Sequence, residues 1–159
     1  MVYYKESRLK VYGQYIKDLS FENPNSPFLP REVPNISVMV SINSARLEGI
    51  KNSEDNKGKL FHEITLHIEA KATVNNKNIS SDIAFICETK YCGVFLIENF
   101  LKLDIEEARR ILFIDGPTFL FPFAREVIAR VTSSGGFPPL MLDPIDFEAM
   151  YKKKTNVKI

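Results

Sequence analysis

The sequence predicts an α+β domain: a four-stranded antiparallel sheet with two main helices packed on one face. Three observations carry this. Between Leu9 and Tyr91, apolar and polar residues alternate with a period of two in four separate stretches. Between Phe123 and Val131 the apolar residues recur instead at helical spacing. Turn formers divide the chain at Asn23-Pro24-Asn25-Ser26-Pro27, Asn75-Asn76-Lys77-Asn78 and Gly135-Gly136. A length of 159 residues without internal repeats fits one domain, so residues 1–159 are expected to fold as a single unit with flexible ends at 1–8 and 153–159.

The first strand starts at Leu9. Leu9, Val11, Tyr15, Leu19 and Phe21 share one parity, whereas Lys10, Tyr12, Gln14, Ile16, Asp18, Ser20 and Glu22 share the other, the pattern of a half-buried strand. Phe28-Leu29-Pro30 then crosses over, apolar although loop-like. A second strand spans about 35–44, with Ile36, Val38, Val40 and Ile42 inward, and the charged run from Glu48 to Lys59 is a solvated connection. The third strand, Leu60–Val74, is the longest, with Ile64, Leu66, Ile68, Ala70, Ala72 and Val74 on one face. After a hairpin turn at 75–78, the fourth runs from about Ile79 to Tyr91, with Ile83, Phe85 and Cys87 opposite Ala84, Ile86, Glu88 and Lys90.

Val94–Phe100 then forms an apolar connection, and Asp104 with Glu107 caps a helix over Ile105–Phe113. Asp115-Gly116-Pro117 is expected to break it. The next helix, Phe121–Ser134, has Pro122 in its first turn, turns Phe123, Ala124, Val127, Ile128 and Val131 inward, and stops at Gly135-Gly136. Two prolines hold Phe137-Pro138-Pro139-Leu140-Met141-Leu142 as an extended apolar tether. Asp146 caps a short last helix with Phe147, Met150 and Tyr151 on one side.

Composition excludes several classes. The formal net charge is +1 with no basic stripe, so nucleic acid is not an expected partner. No basic–apolar–small N-terminal pattern and no apolar run near the roughly 18 residues of a membrane span occur, so neither a signal peptide nor direct membrane insertion is expected, and a cytoplasmic location is. Cys87 and Cys92 have opposite parity on one strand, as do His62 and His67, which disfavours a disulfide or a shared metal. There is no Gly-rich phosphate loop, and Gly135-Gly136 ends a helix rather than opening one. Neither catalysis nor a cofactor is expected.

Two binding surfaces remain. Phe28, Leu29, Phe137, Leu140, Met141 and Leu142 lie in proline-marked, loop-like runs, where they either fold over the sheet as core lids or line a long apolar groove for extended chains. On the solvent side of the sheet, Asp18 and Glu22 share a parity, as do Ile86 and Glu88; an exposed Ile among carboxylates makes a small docking patch, against the alternative of scattered surface residues.

Three segments, FLFPFAREVIARVTSSGGFPPLMLDPIDFEAMY, YIKDLSFENPNSP and FICETKYCGVF, resemble the SecB family of tetrameric protein-export chaperones, in family order and over most of the chain. The resemblance implies an ATP-independent holdase that keeps unfolded precursor proteins translocation-competent and delivers them to SecA. It implies a client groove between the last helix, its tether and the crossover, involving Phe28, Leu29, Val33, Phe137, Leu140, Met141, Leu142, Phe147 and Tyr151. It further implies a SecA-docking patch of Asp18, Glu22, Ile86 and Glu88, and a homotetramer built as a dimer of dimers. The family often carries a tryptophan before the proline that opens the second strand; here Glu32-Val33 precede Pro34. Alternatives are a SecB-like chaperone serving a toxin–antitoxin pair, and an α+β domain holding a small apolar ligand.

Overall fold

The computed structural model of the chain describes residues 9–28, 32–48, 60–74 and 82–155. Strands β1 (Leu9–Glu22), β2 (Asn35–Arg46), β3 (Leu60–Thr73) and β4 (Ile83–Ile97) form one antiparallel sheet in the order β1-β4-β3-β2. Because β1 and β2 occupy opposite edges, the connection between them carries the chain past β4 and β3. The expected hairpin turn at 75–78, the loop at 49–59 and the first eight residues lie outside the described residues.

β3 follows its alternation without a break. Ile64, Leu66, Ile68, Ala70 and Ala72 are all buried on the helix side, opposite Gly93, Tyr91, Thr89, Cys87 and Phe85 of β4 in turn. β4 continues past the expected end at Tyr91 to Ile97. Phe95, Leu96 and Ile97 are all buried, so both faces of the strand are apolar there and the period of two disappears from the sequence.

β1 slips register twice against β4, between Val11 and Gly13 and between Ile16 and Asp18, leaving Tyr12 and Lys17 without ladder partners. Between the slips the faces are exchanged: Ile16 lies opposite Tyr91 on the helix side and Tyr15 opposite Cys92 on the far side, the reverse of their sequence parity. The second slip restores the phase, so Leu19 and Phe21 return to the helix side and Asp18, Ser20 and Glu22 to the other.

Helix α1 (Ile105–Arg110) is capped as expected, the Glu107 N–H donating to Asp104 Oδ1 at 2.8 Å. It does not end at Asp115-Gly116-Pro117. A π-helical turn, Ile111–Asp115, carries it into α2 (Gly116–Ser134). Gly116 is there because a Cβ would collide with Ile64 Cδ1, and Pro117 fits the first turn, where its missing N–H costs nothing. Pro122 therefore lies inside the helix rather than at its start, removing one intrahelical donor.

Leu120, Phe121, Ala124, Val127, Ile128 and Thr132 form the buried stripe of α2, which covers β4 and β3. Phe123, expected in that stripe, is half-exposed and stacks on Tyr91 with centroids 6.2 Å apart. After Ser134 the chain turns through Gly136, whose φ of 87° favours a residue without a Cβ. Helix α3 (Phe147–Thr155) starts where the Ala149 N–H donates to Asp146 Oδ1 at 2.8 Å. It returns onto the continuous helix formed by α1, the π-helical turn and α2, with Phe147 against Phe121 at 6.1 Å, Tyr151 over Phe113 at 6.4 Å and Glu148 paired with Arg110 at 3.2 Å.

Candidate functional site

The crossover and the tether meet at one end of the sheet. Asn25 is buried and its Nδ2 donates to the Ile83 carbonyl at 2.9 Å, while Asn23 Nδ2 donates to the Gly135 carbonyl at 3.2 Å. Phe137 packs beneath this junction against Phe85 and Phe21, with centroids 4.9 and 6.4 Å away. The tether then runs back along α2. The Leu140 N–H donates to Thr132 Oγ1 at 2.9 Å, and that hydroxyl in turn donates to the Ile128 carbonyl. Between tether and helix lies an open groove of about 500 Å³, lined by Pro122, Arg125, Ala129, Arg130, Pro139 and Met141 among others.

An extended segment alternates its side chains, and the tether divides accordingly. Leu140 and Leu142 turn toward the core, the first half-buried and the second only 7% exposed, whereas Met141 points away and is 57% exposed. Leu142 and Phe147, placed in the groove by the resemblance, therefore sit in the hydrophobic core, and Tyr151 and Phe137 are half-buried against it. Phe28 and Val33 of the crossover are open, at 77% and 95% exposure. Leu29 lies outside the described residues.

On the sheet face away from the helices, register brings the expected docking residues into a grid of three rows. Asp18, Lys90 and His67 form one row across β1, β4 and β3; Ser20, Glu88 and Glu69 the next; Glu22, Ile86 and Lys71 the third. Asp18 and Glu22 are exposed, and Ile86 and Glu88 are partly so. Lys90 Nζ lies 3.4 Å from Asp18 Oδ2, and His67 Nε2 lies 2.7 Å from Glu88 Oε1. Sequence parity places each pair on its own strand, but only the cross-strand register joins the two pairs and supplies Lys90 and His67 as their neighbours.

A second cluster lies further along the same face. Glu63 accepts hydrogen bonds from Lys17 Nζ at 2.6 Å and from the Tyr15 hydroxyl. These bonds favour the ionised carboxylate and hold Glu63 below the ordinary range, and the bond to Glu63 pushes Tyr15 up to about 12. Glu63 thus clamps Lys17, the unpaired residue of the second slip, and the nearby Tyr15, and that slip returns Asp18 and Glu22 to the sheet face away from the helices.

Cys87 and Cys92 are buried free thiols on opposite faces, and burial pushes Cys87 up to about 11, so neither is poised for chemistry. Among the described residues no group of three or more His, Cys, Asp or Glu stands close enough to hold a metal. No helix of the described residues is long and apolar enough to cross a membrane.

Residues 4–158 match the family described as Preprotein translocase subunit SecB. The chain belongs to the SecB family. Among SecB relatives, the protein-export protein SecB of Wolbachia pipientis subsp. Culex pipiens (strain wPip) is 66% identical over 95% of this chain and 92% of its own. That of Ehrlichia chaffeensis is 47% identical over 94% of this chain and 90% of its own. The fold is shared with a solved SecB-like chaperone of Mycobacterium tuberculosis bound to a peptide from the HigA1 antitoxin, with a TM-score of 0.55 over 87% of this chain and 91% of that one. At 15% identity that likeness concerns the fold alone, so the toxin–antitoxin alternative is not favoured over protein export.

Proposed function

We propose that this SecB-family export chaperone binds extended segments of unfolded precursor proteins along the crossover and tether, keeps them translocation-competent and hands them to SecA. It works in the cytoplasm as a homotetramer, without nucleotide, metal or catalysis. The observation that carries the client reading is the exposure of Phe28, Val33 and Met141 on two segments tied together by the Asn23–Gly135 hydrogen bond. Apolar side chains on irregular segments supply affinity by burial without demanding a shape from the guest.

Assembly is supported by an uncovered apolar surface beside α2. Val11 lies opposite Phe95, which contacts Phe119; Phe119 contacts Phe123, which stacks on Tyr91, and Tyr91 lies opposite Ile16. Val11, Ile16, Phe119 and Phe123 are each at least about two-fifths exposed in a single chain, and a two-fold contact would cover them twice over.

SecA docking is supported by Asp18, Glu22, Ile86 and Glu88 sharing one face. The test is a pull-down of a denatured precursor with and without SecA. Met141→Ser and Val33→Ser should release the precursor and keep SecA; Asp18→Ala and Glu88→Ala should do the opposite. Wild-type retention of both partners in all four variants would remove both surfaces from the reading.

A further inference from the structure

We propose that Lys90 and His67 are built-in competitors of the partner's basic segment, each occupying a carboxylate of the docking face until that segment displaces it. The inference rests on the docking reading of that face. Lys90 stands between Asp18 on β1 and His67 on β3, with its ammonium 3.4 Å from the Asp18 carboxylate. A carboxylate only accepts, so at 2.7 Å His67 Nε2 carries the proton toward Glu88. Nδ1 lies 3.3 Å from the Ser41 hydroxyl, so the ring is held at both nitrogens. Around His67 the charged neighbours are Glu88 and Lys90 on β4 and Glu69 on β3, while β2 presents Ser41 and Met39.

The third row provides a contrast on the same face. Glu22 and Lys71 flank Ile86 and have no ion partner among the described residues. A basic segment arriving at this surface therefore meets two carboxylates without an ion partner among the described residues, Glu22 and Glu69, and two, Asp18 and Glu88, that must first exchange a local donor for its own. Both local pairs are part-exposed and weak, so exchange is feasible and the competition is a modulation rather than a block.

Titrating SecA calorimetrically at low salt tests this. Lys90→Gln and His67→Ala should each tighten binding about two- to fivefold, the size expected for losing a competing surface pair, and the gain should fade as added salt screens the face. Lys90→Gln should give no gain in an Asp18→Asn background. Lys71→Gln, which removes the same charge without freeing a carboxylate, should give less. No tightening from Lys90→Gln and His67→Ala, an equal gain from Lys71→Gln, or a gain that persists with Asp18→Asn, overturns the inference. If those failures occur while Asp18→Asn and Glu88→Gln still weaken binding, the docking reading survives alone. If Asp18→Asn and Glu88→Gln bind SecA like the wild type, both fall together.

Discussion

Replacing Leu142 by alanine should make the protein easier to unfold rather than weaken its hold on clients. Leu142 is 7% exposed and belongs to the core cluster with Phe121, Val127 and Phe147. Truncation removes three carbons, about 2.4 kcal/mol at about 0.8 kcal/mol for each buried methylene. The cavity left behind raises the cost into the range of about 2–5 kcal/mol. For a chain of this length a loss of about 3 kcal/mol lowers the unfolding midpoint by roughly 6–12 °C. Its neighbour Met141 is 57% exposed, so Met141→Ala should move the midpoint little and lower client affinity instead. Thermal unfolding followed by circular dichroism gives the first quantity, with protein concentration fixed because an oligomer's midpoint depends on it. Aggregation suppression of a denatured precursor, well below the midpoint, gives the second. A Leu142→Ala protein with the wild-type midpoint and weakened client holding would refute the division of the tether into a core side and a client side.

Three further outcomes are expected. His62 is buried, both ring nitrogens lack a hydrogen-bond partner among the described residues, and burial, with Arg46 nearby, holds its pKa below the ordinary range. The folded state therefore prefers the neutral ring: stability is complete above about pH 6.5 and falls as acid approaches the lower folded value, by at most about 1.4 kcal/mol per pH unit. Urea unfolding of His62→Leu alongside the wild type should lack this part of the slope, and parallel curves would contradict it. Thr132→Val strands the Leu140 N–H, so it should cost about 1–3 kcal/mol and speed amide exchange at Leu140; unchanged exchange would show that the hydroxyl does not clasp the tether. Light scattering should give a tetramer, and a monomer at micromolar concentration would contradict the isologous assembly.

The sheet was legible wherever one face is apolar and the other polar, as in β3 from Ile64 to Ala72. It was illegible where that contrast vanishes. Val94–Ile97 looked like a connection because both faces of β4 are buried there, and Tyr15 and Ile16 took the wrong faces because slips arise from pairing with β4. Asp115-Gly116-Pro117 carried the usual signal for a break, yet Gly116 answers a close approach by Ile64 and Pro117 sits in a first turn. Phe123 misled because α2 is apolar on two sides, toward the sheet and toward Tyr91, and spacing alone does not say which side is the core. On the sheet face away from the helices, Asp18 and Glu22 were legible because their parity survives both slips, whereas Lys90 and His67 needed the register across three strands. Leu142 differed from Met141 through tether direction, which the Thr132–Leu140 hydrogen bond sets from a distance in sequence.

The two compensating slips of β1 also bear on which single-codon deletions the gene can survive. Tyr12 and Lys17 are the residues of β1 that stand outside the ladder with β4. Losing either one heals a bulge and leaves every other side chain on its present face. The central strand has no such slack: β3 keeps one register from Leu60 to Ala72 against β4, and a residue lost within that run turns the remainder over, sending core leucines and isoleucines to the surface. Length variation among descendants of a common ancestor should therefore collect in the first strand of this sheet and be purged from the third.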